Sequence, residues 1–146
     1  MPASLAATPP SLSSHVYAMY DATNRQSRSP YLCGDNFRSL AQHVLDHEAA
    51  VNCFAWENVN AGDLIYVQTE ALPAFFYREA SIDVPYCLVS HNSDADPAQM
   101  VPWAVVEASL KRGCMRVWFG LYLPGRWMDQ YPSRLVCIPL GIAPRI

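Results

Sequence analysis

The sequence has few charged residues, and its positive charges are scarce. Only 16% of the 146 residues are charged, and the ten Lys and Arg, a single Lys among them, do not cluster. A nucleic-acid-binding face needs clustered Lys and Arg, so no nucleic-acid partner is predicted. The net charge of −3 and the 51% apolar content also exclude a disordered chain and a coiled coil.

Long apolar runs are also missing. No stretch approaches the roughly 20 residues of a bilayer span, so no membrane span is predicted. Residues 1–14 lack the basic start and continuous apolar core of a signal peptide. We therefore expect a soluble, cytoplasmic protein with a flexible leader over residues 1–30. The Ser, Ala and Pro content of that leader leaves a transit peptide as the alternative.

Several motifs that mark cofactor and metal sites are absent. There is no G-x-G-x-x-G, no Walker phosphate loop and no G-x-S-x-G elbow. The five cysteines form no C-x-x-C, which excludes a zinc ribbon and predicts five free thiols, with Cys87 and Cys137 buried. Asp94-Ala95-Asp96 matches the D-x-D metal pattern, but Asp96 before Pro97 is typical of a helix cap. No cofactor and no metal site are predicted.

Short apolar strands alternate with helical patterns along the rest of the chain. Apolar runs predict strands at 64–67, 86–89, 115–119 and 135–138, and a further short strand at 16–20. Apolar stripes predict helices over 36–48, 71–79 and 102–112. This alternation predicts an α/β fold, a Rossmann-like parallel sheet with flanking helices.

The predicted domain spans residues 31–146 and looks like a partial, first-domain unit. The chain continues only eight residues past the last predicted strand, from 138 to 146, with no helix to cover that strand. A doubly wound sheet normally continues beyond such a point. We therefore expect the N-terminal half of a two-domain protein.

Polar residues follow several predicted strands at their carboxyl ends, where α/β sheets bind ligands. The densest set is His91-Asn92-Ser93-Asp94, and Gln68-Thr69-Glu70 follows the neighbouring strand. An imidazole, an amide, a hydroxyl and carboxylates can bind sugar hydroxyls or phosphate and can perform acid–base chemistry. The alternative is local: Asn, Ser and Asp also favour turns and caps, and Glu70 also suits a helix N-terminus.

Seven segments of the chain, within residues 34 to 143, together resemble a known family in their order and spacing. They are Gly34-Asp35-Asn36-Phe37, Gly62-Asp63-Leu64-Ile65-Tyr66-Val67-Gln68-Thr69-Glu70, Phe75-Phe76, Leu88-Val89-Ser90-His91-Asn92-Ser93-Asp94, Trp118-Phe119-Gly120, Pro132-Ser133-Arg134-Leu135 and Ile138-Pro139-Leu140-Gly141-Ile142-Ala143. The family is the exostosin-like, Rossmann-fold glycosyltransferase family of protists, algae and large DNA viruses. The chain departs from its pattern at Glu70, where the family tends to Asp, and at Leu121 and Tyr122, where it tends to Gln-Asn.

The resemblance implies an acceptor-side domain that works beside a second domain, which holds most of the nucleotide-sugar donor. The enzyme would move a sugar from that donor to an acceptor hydroxyl, with His91 or Glu70 as the catalytic general base. The expected substrate-binding residues are Thr69, Asn92, Ser93, Asp94, Gly120 and Gly141.

Two other functions stay open from the sequence. The first is a non-catalytic carbohydrate- or protein-binding module that lacks the donor domain, and the isolated chain is expected to be inactive. The second is a small flavodoxin-like nucleotide-binding domain, for which Gln68-Thr69-Glu70 makes a poor phosphate loop.

Overall fold

The computed structural model describes residues 34–139, which build one five-stranded sheet whose strands are all parallel. The strands pair in chain order: β1 His43–Leu45, β2 Asp63–Gln68, β3 Tyr86–His91, β4 Met115–Gly120 and β5 Leu135–Cys137. The predicted Rossmann-like α/β fold is therefore confirmed. The predicted leader, the strand at 16–20, Cys33 and Gly141 lie outside the described residues.

Five α-helices and four 3₁₀ turns connect the strands. The α-helices are α1 Gly34–Leu40, α2 Leu72–Arg78, α3 Pro97–Met100, α4 Trp103–Arg112 and α5 Gly125–Gln130. The 3₁₀ turns are Glu48–Cys53, Trp56–Asn58, Thr69–Ala71 and Glu79–Ser81. None of the helices between residues 34 and 139 has the length and apolar character that a bilayer span requires.

The predicted helix over 36–48 is wrong in its second half. The helix ends at Leu40, and the chain enters β1 at His43. Val44 and Leu45 then point to opposite faces of the sheet, as neighbouring strand residues do, and Leu45 lies in the main core. The helical spacing of the apolar residues was genuine, but pairing with β2 determined the local structure.

The two faces of the sheet are covered unequally. Since each crossover steps to the next strand in the same direction, right-handed crossovers all fall on one face. That face carries the main core, with Phe75 from α2, Leu110 from α4 and Trp127 from α5. Among the described residues, Phe37 and Ala41 at α1 pack against the smaller cluster on the other face, around Tyr66 and Val89.

A chain of aromatic rings fills the main core around Trp118. Its ring centroid lies 5.5 Å from that of Phe76 and 6.1 Å from that of Trp127. The buried indole Nε1 donates a hydrogen bond of 2.9 Å to Ser90 Oγ on the neighbouring strand. Trp118 therefore both packs β4 against the helices and links β4 to β3 through a hydrogen bond.

The described cysteines are all unbridged. Cys53, Cys87, Cys114 and Cys137 are free thiols, in agreement with the predicted absence of a disulfide framework. The expected burial holds only in part, because Cys87 is partly buried and Cys137 is exposed at the end of the last strand.

Replacing Trp118 with alanine tests the core. The indole is fully buried, so we expect Trp118→Ala to lower the free energy of unfolding by about 3–5 kcal/mol. Urea titration measures the loss. Tyr77→Ala is the matched control, because that tyrosine is 86% exposed on α2 and should change stability by at most about 0.5 kcal/mol. A loss below about 1 kcal/mol at Trp118 would contradict the packing.

Candidate functional site

Two of the predicted site residues, Glu70 and Ser93, meet at the carboxyl edge of the sheet. Gln68 and His91, the last residues of β2 and β3, are paired across the two strands, so the segments that follow them lie side by side. The Ser93 hydroxyl donates a short hydrogen bond to the Glu70 carboxylate, and Gln68 Nε2 donates to its other oxygen at 3.2 Å. Glu70 is exposed, so this polar pair is open to a ligand from solvent.

The environment of Glu70 favours its charged form. Partial burial raises the pKa of the carboxyl, but hydrogen bonds from Ser93, its own backbone and Gln68 outweigh that effect and lower it. Glu70 is therefore an ionised hydrogen-bond acceptor at neutral pH. A carboxylate in this state accepts hydrogen bonds from ligand hydroxyl groups. Its low pKa makes it a weak base for full proton transfer.

His91 is sealed inside the protein, with only 1% of its surface exposed. Its Nδ1 accepts a hydrogen bond of 2.8 Å from the backbone N–H of Asn92. Its Nε2 lies 2.9 Å from the carbonyl oxygen of Pro139, so Nε2 carries the proton and donates it. Both ring nitrogens are therefore engaged by backbone groups, as expected of a structural histidine.

Asn92 links the site to the start of the described chain. It adopts a left-handed backbone conformation with φ 61°, and its amide lies 3.5 Å from the carboxylate of Asp35. Gly34 approaches so closely that an added Cβ would lie 1.6 Å from the Asn92 side chain and 2.7 Å from His91 Nδ1. This glycine is therefore required by the contact between α1 and the end of β3.

The remaining predicted site residues are divided between core and surface. Thr69 is fully buried, and its hydroxyl has no hydrogen-bond partner among residues 34–139. Gly120 is buried too, and an added Cβ there would lie 2.7 Å from the Leu123 side chain, so packing accounts for the glycine. Asp94, which follows Ser93 in the sequence, is exposed. Asp96 caps α3 by accepting a hydrogen bond of 2.9 Å from the backbone N–H of Ala98.

A second polar cluster lies at the opposite, amino edge of the sheet. The buried carboxylate of Glu79 accepts hydrogen bonds from the Tyr86 hydroxyl at 2.5 Å and from Arg112. Burial and the Glu79 charge raise the pKa of Tyr86, while Glu79 raises the pKa of Arg112 against the opposing effect of burial. Because Glu79 and Tyr86 are sealed from solvent and bonded to each other, this cluster ties the 3₁₀ turn Glu79–Ser81, which follows α2, to β3 and α4.

The strand order limits the shape that a binding site can take. Rossmann-like sheets bind ligands in the crevice where the strand order reverses. The five described strands run in chain order without a reversal, so no such crevice forms between them. The described residues also hold no group of three or more metal-binding side chains. The carboxyl edge is therefore formed by a row of loops that carry its polar side chains.

The sequence left some of the residues at this edge without a role. Gly34, Asp35 and Pro139 are not among the predicted site residues, yet all three contact His91 or Asn92. No spacing rule joins positions separated by 57 and 48 residues. Within the described residues, contacts join Gly34 and Pro139 to the end of β3, and no local pattern in the sequence indicates them.

Comparison with known proteins gives no relative: no protein-family model matches the chain, and no curated protein or solved structure is significantly similar to it.

Replacing Gly34 with alanine tests the contact between α1 and Asn92. The new methyl group would overlap the Asn92 side chain, so we expect Gly34→Ala to cost about 1–3 kcal/mol of stability. Urea titration measures the loss. Gly125→Ala is the control, because an added Cβ there meets nothing within 4 Å, and it should be neutral. Equal stability of the two variants would contradict the described approach.

Removing the Ser93 hydroxyl tests the polar pair. We expect Ser93→Ala to raise the pKa of Glu70 toward its ordinary value of about 4.3, because a hydrogen bond to the charged form is lost. In the parent protein, the lowered pKa of Glu70 stabilises the folded state at pH values above the ordinary pKa of a glutamate. This stabilisation is lost as the pH falls through the folded-state pKa. Carboxyl ¹³C NMR titration measures the change. Ser81→Ala, an exposed serine ahead of β3, should leave Glu70 unchanged, and a Glu70 pKa unaffected by Ser93→Ala would refute the bond.

Proposed function

We propose that this chain is the acceptor-side domain of a glycosyltransferase-like protein and binds acceptor hydroxyl groups at the carboxyl edge of its sheet. The observation that carries the proposal is the exposed Glu70 carboxylate, held by Ser93 at the ends of two adjacent strands. The ionised carboxylate of Glu70 keeps lone pairs free to accept from a ligand hydroxyl, while the single hydroxyl proton of Ser93 is already donated to Glu70. The pair therefore presents hydrogen-bond acceptors, which suit a sugar hydroxyl that donates.

In the transfer reaction, the acceptor hydroxyl would donate its hydrogen bond to Glu70. As the acceptor oxygen forms its bond to the anomeric carbon of the donor, the bond from that carbon to the nucleoside diphosphate breaks. The leaving group takes the electron pair, and Glu70 takes the proton. Asn92 and Asp94 would orient further hydroxyls, and a second domain would hold most of the donor.

His91 has a different role in this proposal. To accept a proton, its ring would have to release the Asn92 N–H from Nδ1, because Nε2 already carries a proton donated to Pro139. We therefore assign the general base to Glu70 and treat His91 as a positioning residue that fixes Asn92. The carboxylate of Glu70 is reached directly from solvent, whereas the His91 ring is not.

A non-catalytic carbohydrate-binding module is the second candidate. The observation that favours it is the lowered pKa of Glu70, since a carboxylate with a low pKa is a poor general base but a good hydrogen-bond acceptor. The same residues then bind the sugar without transferring it. The four free thiols of the described part suit a reducing compartment, which supports a cytoplasmic location for either candidate.

Sugar binding and sugar transfer are measured separately to test the proposal. We expect the ¹H–¹⁵N NMR signals of Glu70, Ser93 and Asn92 to shift when methyl pyranosides are added. Glu70→Gln should weaken binding about tenfold, because a charge-assisted hydrogen bond contributes about 1.5–3 kcal/mol. Glu57→Gln is the matched control, an exposed glutamate in the 3₁₀ turn Trp56–Asn58.

Transfer from nucleotide sugars distinguishes the two candidates. We expect no turnover from this chain alone, and transfer in the presence of a donor domain that falls about 10²-fold or more in Glu70→Gln. If a longer natural chain that contains this sequence binds sugars but does not transfer them, the result would favour the non-catalytic binding module. Turnover by this chain alone would contradict the need for a second domain, and no effect of Glu70→Gln on binding would refute the site.

A further inference from the structure

Tyr122, in the loop after β4, has a backbone conformation that is costly for its residue type. Its φ is 61°, and among the described non-glycine residues only Asn92 shares a positive φ. Asparagine tolerates the left-handed region through its short polar side chain, but a bulky aromatic residue there is an outlier. Such strain persists only where the surrounding structure imposes it, and it is common at binding sites.

The register of the sheet places Tyr122 beside Asn92. Ser90 on β3 pairs with Gly120 on β4, so Asn92 and Tyr122 each lie two residues past the same rung. The Leu121 N–H continues the contact with a hydrogen bond of 3.1 Å to the carbonyl of Ser90. Two adjacent strands, about 4.8 Å apart, therefore end in left-handed turns at the same level.

The turn directs Tyr122 away from the core. Leu121 and Leu123 on either side are buried, whereas Tyr122 is 43% exposed. Burying both leucines fixes the backbone between them, and the ring is left at the carboxyl edge. This edge also carries the Glu70–Ser93 pair, one residue beyond Asn92.

The charge of the edge restricts its ligand. The segments that follow β2, β3 and β4, residues 68–70, 91–96 and 120–124, contain three carboxylates and no Lys or Arg, and the first basic residue after β4 is the exposed Arg126 of α5. Phosphate groups would be repelled by Glu70 and Asp94 and would find no cationic side chain in these segments. A neutral ligand with hydroxyl groups meets no such penalty.

We propose that the Tyr122 ring is a stacking platform for the apolar C–H face of a neutral pyranose, whose hydroxyl groups bind the Glu70–Ser93 pair. This inference rests on the proposed function and makes it more specific, because it assigns the edge to an uncharged sugar acceptor and excludes the phosphorylated donor from it. A pyranose has both features that the edge provides for: a flat apolar face for an aromatic ring and a rim of hydroxyls for a carboxylate and a serine.

The test compares variants in their binding of methyl β-glucoside, methyl β-galactoside and methyl α-mannoside, followed by saturation-transfer and ¹H–¹⁵N NMR. We expect Tyr122→Ala to weaken binding about tenfold, and Tyr122→Phe to stay within about threefold of the parent, because the ring and not the hydroxyl binds. Tyr77→Ala, which removes the 86% exposed tyrosine of α2, is the matched control and should have no effect.

Tyr122→Gly separates the binding role from a structural one. Glycine adopts the left-handed conformation without cost, so this variant should melt no lower than the parent and still lose about tenfold in binding. Glucose 1-phosphate should bind about tenfold more weakly than methyl glucoside. Equal or tighter binding of the phosphate would overturn the charge argument.

The outcomes distinguish this inference from the proposed function. Unchanged binding in Tyr122→Ala together with weaker binding in Glu70→Gln would overturn the platform and keep the site. Weaker binding in Tyr122→Ala alone would keep the platform and remove the assigned role of Glu70. Absence of binding to all three glycosides in the parent chain would overturn both.

Discussion

The ring of His91 holds the carboxyl edge of the sheet together. His91 is the last residue of β3, and its ring packs against Phe37 of α1 with the ring centroids 5.3 Å apart. It accepts a hydrogen bond from the Asn92 N–H and donates one to the carbonyl of Pro139, 48 residues further along the chain. Three separate segments therefore meet at one imidazole. Since a buried ring nitrogen without a partner is costly, each contact helps to fix the others. These contacts hold the residue from which the chain enters the left-handed turn at Asn92 and continues to Ser93, which bonds to Glu70.

The sequence predicted the parallel sheet because the strands that are buried on both faces read as unbroken apolar runs, such as Leu64 to Val67. It failed at β1 because three residues are too few to show a period of two, and Val44 and Leu45 also fit the helical stripe that Phe37 begins. Only the pairing of Val44 with Tyr66 decides between the two structures, and that pairing joins residues 22 positions apart. Local pattern was therefore sufficient for the interior of the sheet and insufficient at its edge.

The sequence predicted that Glu70 and Ser93 lie at the same edge of the sheet, but not which of the strand-end residues face solvent. Strand ends locate Glu70 and Ser93 at one edge, because parallel strands end on the same side, and the two do bond. Whether a residue at a strand end faces solvent or core depends on what packs above it. His91 is buried by α1 and by the chain around Pro139, neither of which any local rule places there. Tyr122 stood out in the sequence only as a departure from the Gln-Asn of the similar family, and its left-handed backbone was not predicted, because that conformation is expected of Gly or Asn.

The order of the strands explains why the site depends on a few side chains. Where the strand order reverses, two loops diverge and leave a crevice that surrounds a ligand on several sides. Here the described strands continue in one direction, so the loops after β2, β3 and β4 lie in a row and leave a shallow edge. A ligand on such an edge keeps much of its surface in water, and its affinity comes from a few directed contacts. For the proposed function, that geometry suits a weakly held sugar ligand better than a tightly held cofactor, whose binding requires enclosure.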